Sequence, residues 1–189
     1  MKTLSDILVF IIDTIGSLYI SVVLIRVLLQ MVRADFYNPL SKAIVKLTNP
    51  LVLPLRKFIP GFFGIDWASL FLALLLQMLL LIIIRLIGGY AIPGLGSLVV
   101  VSIYMLIMNV LVIYIFAMLV VVVVSWIAPQ SYNPTAQLLN QLLRPFLAPI
   151  QRVIPPVAGL DFSPMVFLMA LMIIRNFLLP ALARGLGLA

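Results

Sequence analysis

Four stretches of the chain are almost unbroken in apolar residues, at about 7–32, 67–87, 98–127 and 162–182. Each matches or exceeds the roughly 20 residues that a helix needs to cross a hydrocarbon core of about 30 Å. The third is longer than one crossing requires, which predicts a helix that tilts or projects. The first reads as a retained span. Only Lys2 supplies a basic leader, the apolar run is too long, and the exit Arg33-Ala34-Asp35-Phe36 is no small-residue cleavage site. Spans two and three are joined by a short Gly- and Pro-marked loop, 88–97. The other two connections are longer and patterned differently.

Those connections are copies. Tyr37-Asn38-Pro39 recurs as Tyr132-Asn133-Pro134, 95 residues later. The same offset, without a gap, maps Pro50 to Pro145, Pro54 to Pro149, Lys57 to Arg152, Gly64 to Gly159 and Asp66 to Asp161. Each half is therefore span, connection, span, with residues 1–95 as one unit and 96–189 as the other. Two spans per unit return the chain to its starting side, so the repeats are parallel, unlike the inverted pairs of many transporters. Within each connection, 38–60 and 133–155, Asn38 and Asn133 suit a helix N-cap and Pro39 and Pro134 the first helical position. Lys42, Lys46 and Asn49 recur at i, i+4, i+7 against Leu40, Ala43, Ile44, Leu47 and Leu51. Gln137, Gln141 and Arg144 do so against Leu138, Leu139, Leu142 and Leu143. This predicts an amphipathic helix of about three turns lying in the headgroup plane, ended by Pro50 or Pro145. A second short element would follow from Pro54 to Pro60, and from Pro149 to Pro155. There Arg56, Lys57 and Arg152 can reach phosphates, and Asp66 and Asp161 can cap the next span. The predicted fold is an all-α membrane protein. It has four transmembrane helices as two parallel repeats, each with a short amphipathic interfacial helical connection.

Composition supports that reading and removes chemistries. Of 189 residues, 65% are hydrophobic and 9% charged, against about 45–50% and 25% in soluble domains. The sequence has no Cys and no His, and no Glu. Thiolate and imidazole metal sites, cysteine nucleophiles and Ser-His-Asp triads are therefore excluded within this chain. The acids are Asp6, Asp13, Asp35, Asp66 and Asp161. No catalytic residue, metal or cofactor is expected.

The net charge is +7. The basic residues sit among apolar ones at span boundaries, so anionic phospholipid headgroups, and not nucleic acid, are the expected counter-charge. Arg33, Lys42, Lys46, Arg56, Lys57, Arg144 and Arg152 fall on the side of the long connections, and Lys2, Arg85 and Arg184 on the other. Positive-inside counting puts the connections in the cytoplasm and both termini in the periplasm of a bacterial inner membrane.

Ionisable groups inside a span cost about 2.5 kcal/mol or more on insertion scales. Tyr19, Arg26, Gln30 and Arg33 lie within roughly 40° of one another on span one, a polar stripe leading to the basic side. Asp13 shares another face with Ser17 and Ser21. Its depth matches that of Arg175 in span four, which suggests an Asp13–Arg175 ion pair; the alternative is a snorkelling arginine. Asn109, Ser102, Gln77 and Ser69 are expected to bond between helices, and Met165, Met169 and Met172 to pack. Asp66 and Asp161, at matched depth, suit caps or contact with a cation.

The paired Tyr-Asn-Pro, Pro-Leu-Arg-Lys-x-Ile-Pro and Gly-[Ile/Leu]-Asp motifs, with 34–39 and the ending Asp161-Phe162-Ser163-Pro164, resemble the YggT family of small bacterial inner-membrane proteins. The two-copy form resembles its proteobacterial members. The resemblance implies roles in osmotic tolerance with potassium or other ion uptake, in placing the division septum, or in cofactor assembly in plastids. It implies no catalytic residues. The residues themselves favour a non-catalytic organiser or assembly factor, because the patterned, duplicated positions lie in the connections. A membrane-protein partner or a homo-oligomer is expected. The alternative is a potassium uptake or permeation protein acting as an oligomer, since four spans enclose little room.

Overall fold

The computed structural model describes residues 2–127, 133–155 and 161–187. Helix α1 (Lys2–Met31), α2 (Pro39–Arg56), α3 (Trp67–Gly88), α4 (Leu95–Ile127), α5 (Pro134–Val153), α6 (Ser163–Ile173) and α7 (Leu179–Gly185) follow in order. No strand occurs among the described residues, only one bridge from Phe62 to Ile65. Four stretches are long and apolar enough to cross a membrane: Thr3–Met31, Trp67–Gly88, Leu95–Ser125 and Ser163–Gly185. Even α3, the most enclosed, buries only 28% of its most apolar stretch within the chain. The rest of that surface requires lipid, and the chain is a multi-pass membrane protein.

Helices in lipid gain little from burying apolar surface on one another, so close contact decides which of them pair. Helices α1 and α3 make the most extensive pair. At Gly16 a Cβ would come within 2.7 Å of Leu80 Cδ1, so the absent side chain lets the two helices touch. Helix α4 packs against α1, α3, α5 and α6. The shared core runs through Ile20, Val23 and Leu24 of α1, Leu72 and Ala73 of α3, Tyr114 and Met118 of α4, and Leu142 and Leu143 of α5.

The connections are helical where expected but longer. Pro50 and Pro145 do not end them. Helix α2 continues through Pro50 and Pro54, and α5 through Pro145 and Pro149. The reason lies in the spacing. Each proline pair is four residues apart and exposed, as is Lys46. The carbonyls freed at Lys46 and Pro50 therefore open toward the outside, where water or headgroups can satisfy them. A proline costs most where its freed carbonyl is sealed from such partners. After α2, the chain turns back through a tight 62–65 bend in which Gly64 takes φ +76.

The last span also differs from a plain helix. Residues Ile174–Leu178 form a π turn between α6 and α7, with the Leu179 N–H reaching back to Ile174 O. Pro180 explains it. Its missing N–H and its ring forbid a regular turn onto Asn176, and one wider turn absorbs the mismatch. Met165, Met169 and Met172 are 67, 55 and 44% exposed. They face outward and do not pack in the core as expected.

Candidate functional site

The first connection is fastened by charge. Asp66, at the N-cap of α3, is 1% exposed, and two guanidiniums meet it. Arg26 of α1, 4% exposed, places Nε 3.4 Å from Asp66 Oδ2. Arg56, the last residue of α2, donates Nε to Oδ1 at 3.3 Å and Nη2 to Oδ2. The Arg26 Nη1 donates to Thr48 Oγ1 at 2.6 Å and Asn49 Oδ1 at 2.9 Å. Ser69 donates its hydroxyl to Asp66 at 2.6 Å and its N–H at 3.3 Å. One carboxylate thus ties the end of the connection to both spans of the first half. Burial pushes the Asp66 carboxyl up, but the hydrogen bonds from Arg56 and Ser69 and the Arg56 charge outweigh it and hold it below the usual aspartate value. Taking these ions out of water costs several kcal/mol each, so what the cluster secures is geometry more than net stability.

The second connection is fastened differently. Asp161 is exposed and accepts from Gln151 Nε2 at 2.9 Å and from the Ser163 N–H at 2.9 Å. Burial raises its carboxyl, and the bonds from Ser163 and Gln151 together outweigh it and bring it below the usual value. At the 95-residue offset, Val121, Leu143 and Gln151 stand where Arg26, Thr48 and Arg56 do. In place of ions, Tyr114, Phe146 and Phe167 join α4, α5 and α6. Their ring centroids lie 5.0 Å apart for Tyr114–Phe146 and 5.5 Å for the stacked Phe146–Phe167.

The N-caps form as expected. Asn38 accepts from the Leu40 N–H at 2.9 Å, and Asn133 from Thr135 and Ala136 at 2.9 and 3.2 Å. Asn38 also donates to Pro134 O at 2.6 Å, and Gln141 Oε1 accepts from the Asp35 N–H at 2.9 Å. These two bonds, with the small core of Leu29, Ala34, Ile44 and Leu138, brace one connection on the other. Lys42 stands 5.9 Å over the Tyr37 ring. Lys46, Lys57, Arg144 and Arg152 are exposed. Tyr132 and Gly159 lie outside the described residues.

The stripe on span one divides. Arg26 turns into the cluster, and Tyr19 donates to Leu47 O at 3.3 Å. Gln30 and Arg33 line, with Arg26 and Arg56, a cavity of about 800 Å³. The proposed Asp13–Arg175 pair is not formed. Among the described residues the ion pairs are those on Asp66, and Asp13 accepts instead from Ser17 Oγ at 3.3 Å. Helix α4 packs on both α1 and α6, the first half of the last span. Asp13 and Arg175 line one groove of about 550 Å³, with Ser17, Ser21, Gln77 and Asn109. Across it Ser21 donates to Asn109 Oδ1 at 2.9 Å, while Gln77 reaches Met105 Sδ at 3.3 Å. Ser102 Oγ is buried without a partner.

Sequence reasoning missed that Arg26, Arg56 and Ser69 converge on Asp66, with Thr48 bonded to Arg26. A signal was available. Where the first copy has Arg26, Thr48 and Arg56, the second has apolar or neutral residues, so the three polar positions disappear together.

A family model described as CCB3/YggT matches residues 5–87 and again 100–182, two stretches offset by 95 residues. An uncharacterized protein of Pseudomonas aeruginosa is 46% identical over 181 residues, covering 95% of this chain and 92% of the relative. The uncharacterized protein YggT of Escherichia coli K12 is 33% identical over 186 residues, covering 93% and 96%. A relative from Vibrio alginolyticus is 36% identical over 179 residues, covering 90% and 91%. No solved structure matches.

Proposed function

The chain belongs to the CCB3/YggT family, and on that premise we propose that it is a non-catalytic organiser or assembly factor of a bacterial inner membrane. In this reading 1–95 and 96–189 are the two units. The connections lie on the cytoplasmic face among anionic headgroups and the termini are periplasmic. A membrane-protein partner, or a second copy of the chain, docks on the connections.

The observation that carries this is the three-sided division of α2. At about 100° per residue, Ser41, Ile44, Thr48 and Val52 share the buried side. Lys42, Lys46 and Asn49 share a second side. Leu47 and Leu51, exposed apolar residues, lie on a third with Ala43. A helix with a protein side, a basic side and an oily side fits the line where protein, headgroup and hydrocarbon meet. Cross-linking from Lys42, Lys46 and Lys57 in cells tests it. The expected product is a defined membrane-protein adduct or a self-adduct, and unselective labelling would remove the organiser reading.

A second reading, potassium uptake or permeation, is favoured by one observation: the polar groove of Asp13, Ser17, Ser21, Asn109 and Arg175 within the spans. Potassium flux in liposomes separates the two. Flux lost on replacing Asp13 by Asn would establish permeation, and no flux leaves the organiser. Asp66, held by two guanidiniums, has no free charge to offer a cation.

A further inference from the structure

We infer that the cavity between the end of α1, α2 and the 62–65 bend is a binding site for a single phosphate group. Three guanidiniums, those of Arg26, Arg33 and Arg56, line its roughly 800 Å³, and no acidic side chain does. The carboxylate that balances Arg26 and Arg56 is Asp66, buried beneath them. One carboxylate shared by Arg26 and Arg56, with Arg33 beside them unpaired among the described residues, leaves this wall net positive. Gln30, with an amide that has no hydrogen bond among the described residues, adds a neutral donor to the same wall. Guanidiniums present paired N–H donors that match phosphate oxygens, and such contacts are about twice as strong as neutral ones.

The backbone supports the assignment independently. Among the described residues two non-glycine residues have a left-handed backbone, Arg33 at φ +52 and Phe63 at φ +55. Both line this cavity. Arg33 stands just beyond α1, where the Arg33 N–H returns to Gln30 O at 3.0 Å and the Ala34 N–H to Leu29 O at 2.9 Å. Glycine is the residue such a helix end ordinarily uses, and a long side chain there carries strain. Strain at two residues facing one cationic cavity is what a site kept for a ligand would show. The Arg33 side chain itself has no hydrogen-bond or ion-pair partner among the described residues, so its charge is free for that ligand.

The phosphate group belongs either to a lipid headgroup or to a free phosphate ion. The cavity stands whether or not the chain organises other proteins, because the guanidinium cluster forms it and not the outer faces of α2 and α5. The test uses the full chain purified in dodecyl maltoside. Thermal midpoints are read against inorganic phosphate at constant ionic strength, and retention of phosphatidylglycerol is read by native mass spectrometry. Arg33→Gly and Arg33→Asn both suit a left-handed backbone and remove the charge, so the unliganded midpoint should hold or rise. Binding should weaken roughly tenfold, while Arg184→Ala, at the far end of the last span, should leave it unchanged. Binding of phosphatidylglycerol alone identifies a lipid headgroup, and binding of inorganic phosphate identifies the free ion. No binding of either, undiminished binding in both Arg33 variants, or equal weakening by Arg184→Ala would overturn the site. None of those results touches the cross-linking expected of Lys42 and Lys46.

Discussion

The two connections run alike from capped start to proline-bearing end, yet they are held by opposite chemistries. The first is pinned by one carboxylate between Arg26 and Arg56, both spans of its half meeting at a buried charge. The second is held by stacked and edge-on rings, with its carboxylate left at the surface. A duplicated backbone joint therefore does not require a duplicated fastening. Ions secure orientation because a buried charge tolerates few partners, whereas rings secure it by filling space. The charged joint is the one with a cationic cavity beside it, and the oily one has none of its arginines.

The largest expected difference lies at the two aspartates. Asp66→Ala strands two guanidiniums, one of them buried, and should destabilise the fold by about 3–5 kcal/mol. Asp161→Ala removes exposed bonds and should cost under about 1 kcal/mol. Thermal unfolding in detergent compares them, and equal losses would erase the distinction between the joints. Acid tests the charged joint directly. The folded-state Asp66 carboxyl is held below its ordinary value of 3.8, so its contribution is present above that value and is lost as pH falls through the lower folded one. A midpoint-against-pH curve for Asp66→Asn should be flatter in that range than the wild-type curve.

Next in size is the aromatic joint. Phe167→Ala should cost about 3 kcal/mol through the cavity it leaves between α4 and α5. It should leave the Arg26–Asp66–Arg56 cluster intact, as read by an unchanged acid profile. A shifted profile would mean that the halves are fastened as one.

The caps should differ least. Asn133→Ala removes a cap worth about 1 kcal/mol. Asn38→Ala removes a cap and the brace to Pro134 O, and should cost about 1 kcal/mol more. Equal effects in unfolding measurements would show that the brace contributes nothing.

What could be read along the chain was what depends on neighbours in sequence. Asn38 and Asn133 followed by proline and the helix stop at 88–89 are local signals, the 95-residue period is the recurrence of such signals, and the structure contains the caps and the stop. The pairing of Arg26 with Asp66 spans forty residues and depends on how α1 meets α3, so a face count on α1 could place Arg26 only in a stripe. Pro50 and Pro145 were misread as stops for a related reason. A proline breaks a helix when its freed carbonyl is buried, and burial is a property of the packed chain. Asp13 and Arg175 share a depth in the sequence, but depth does not specify azimuth, and α4 packs against both of their helices.

The account depends on both connections occupying one face of the membrane. The sequence contains no cysteine, so Lys46→Cys and Gln141→Cys, at equivalent positions of the two copies, can be tested singly with a membrane-impermeant maleimide. The account predicts that neither reacts in intact spheroplasts and that both react in inverted vesicles. Labelling of one from each side would contradict it.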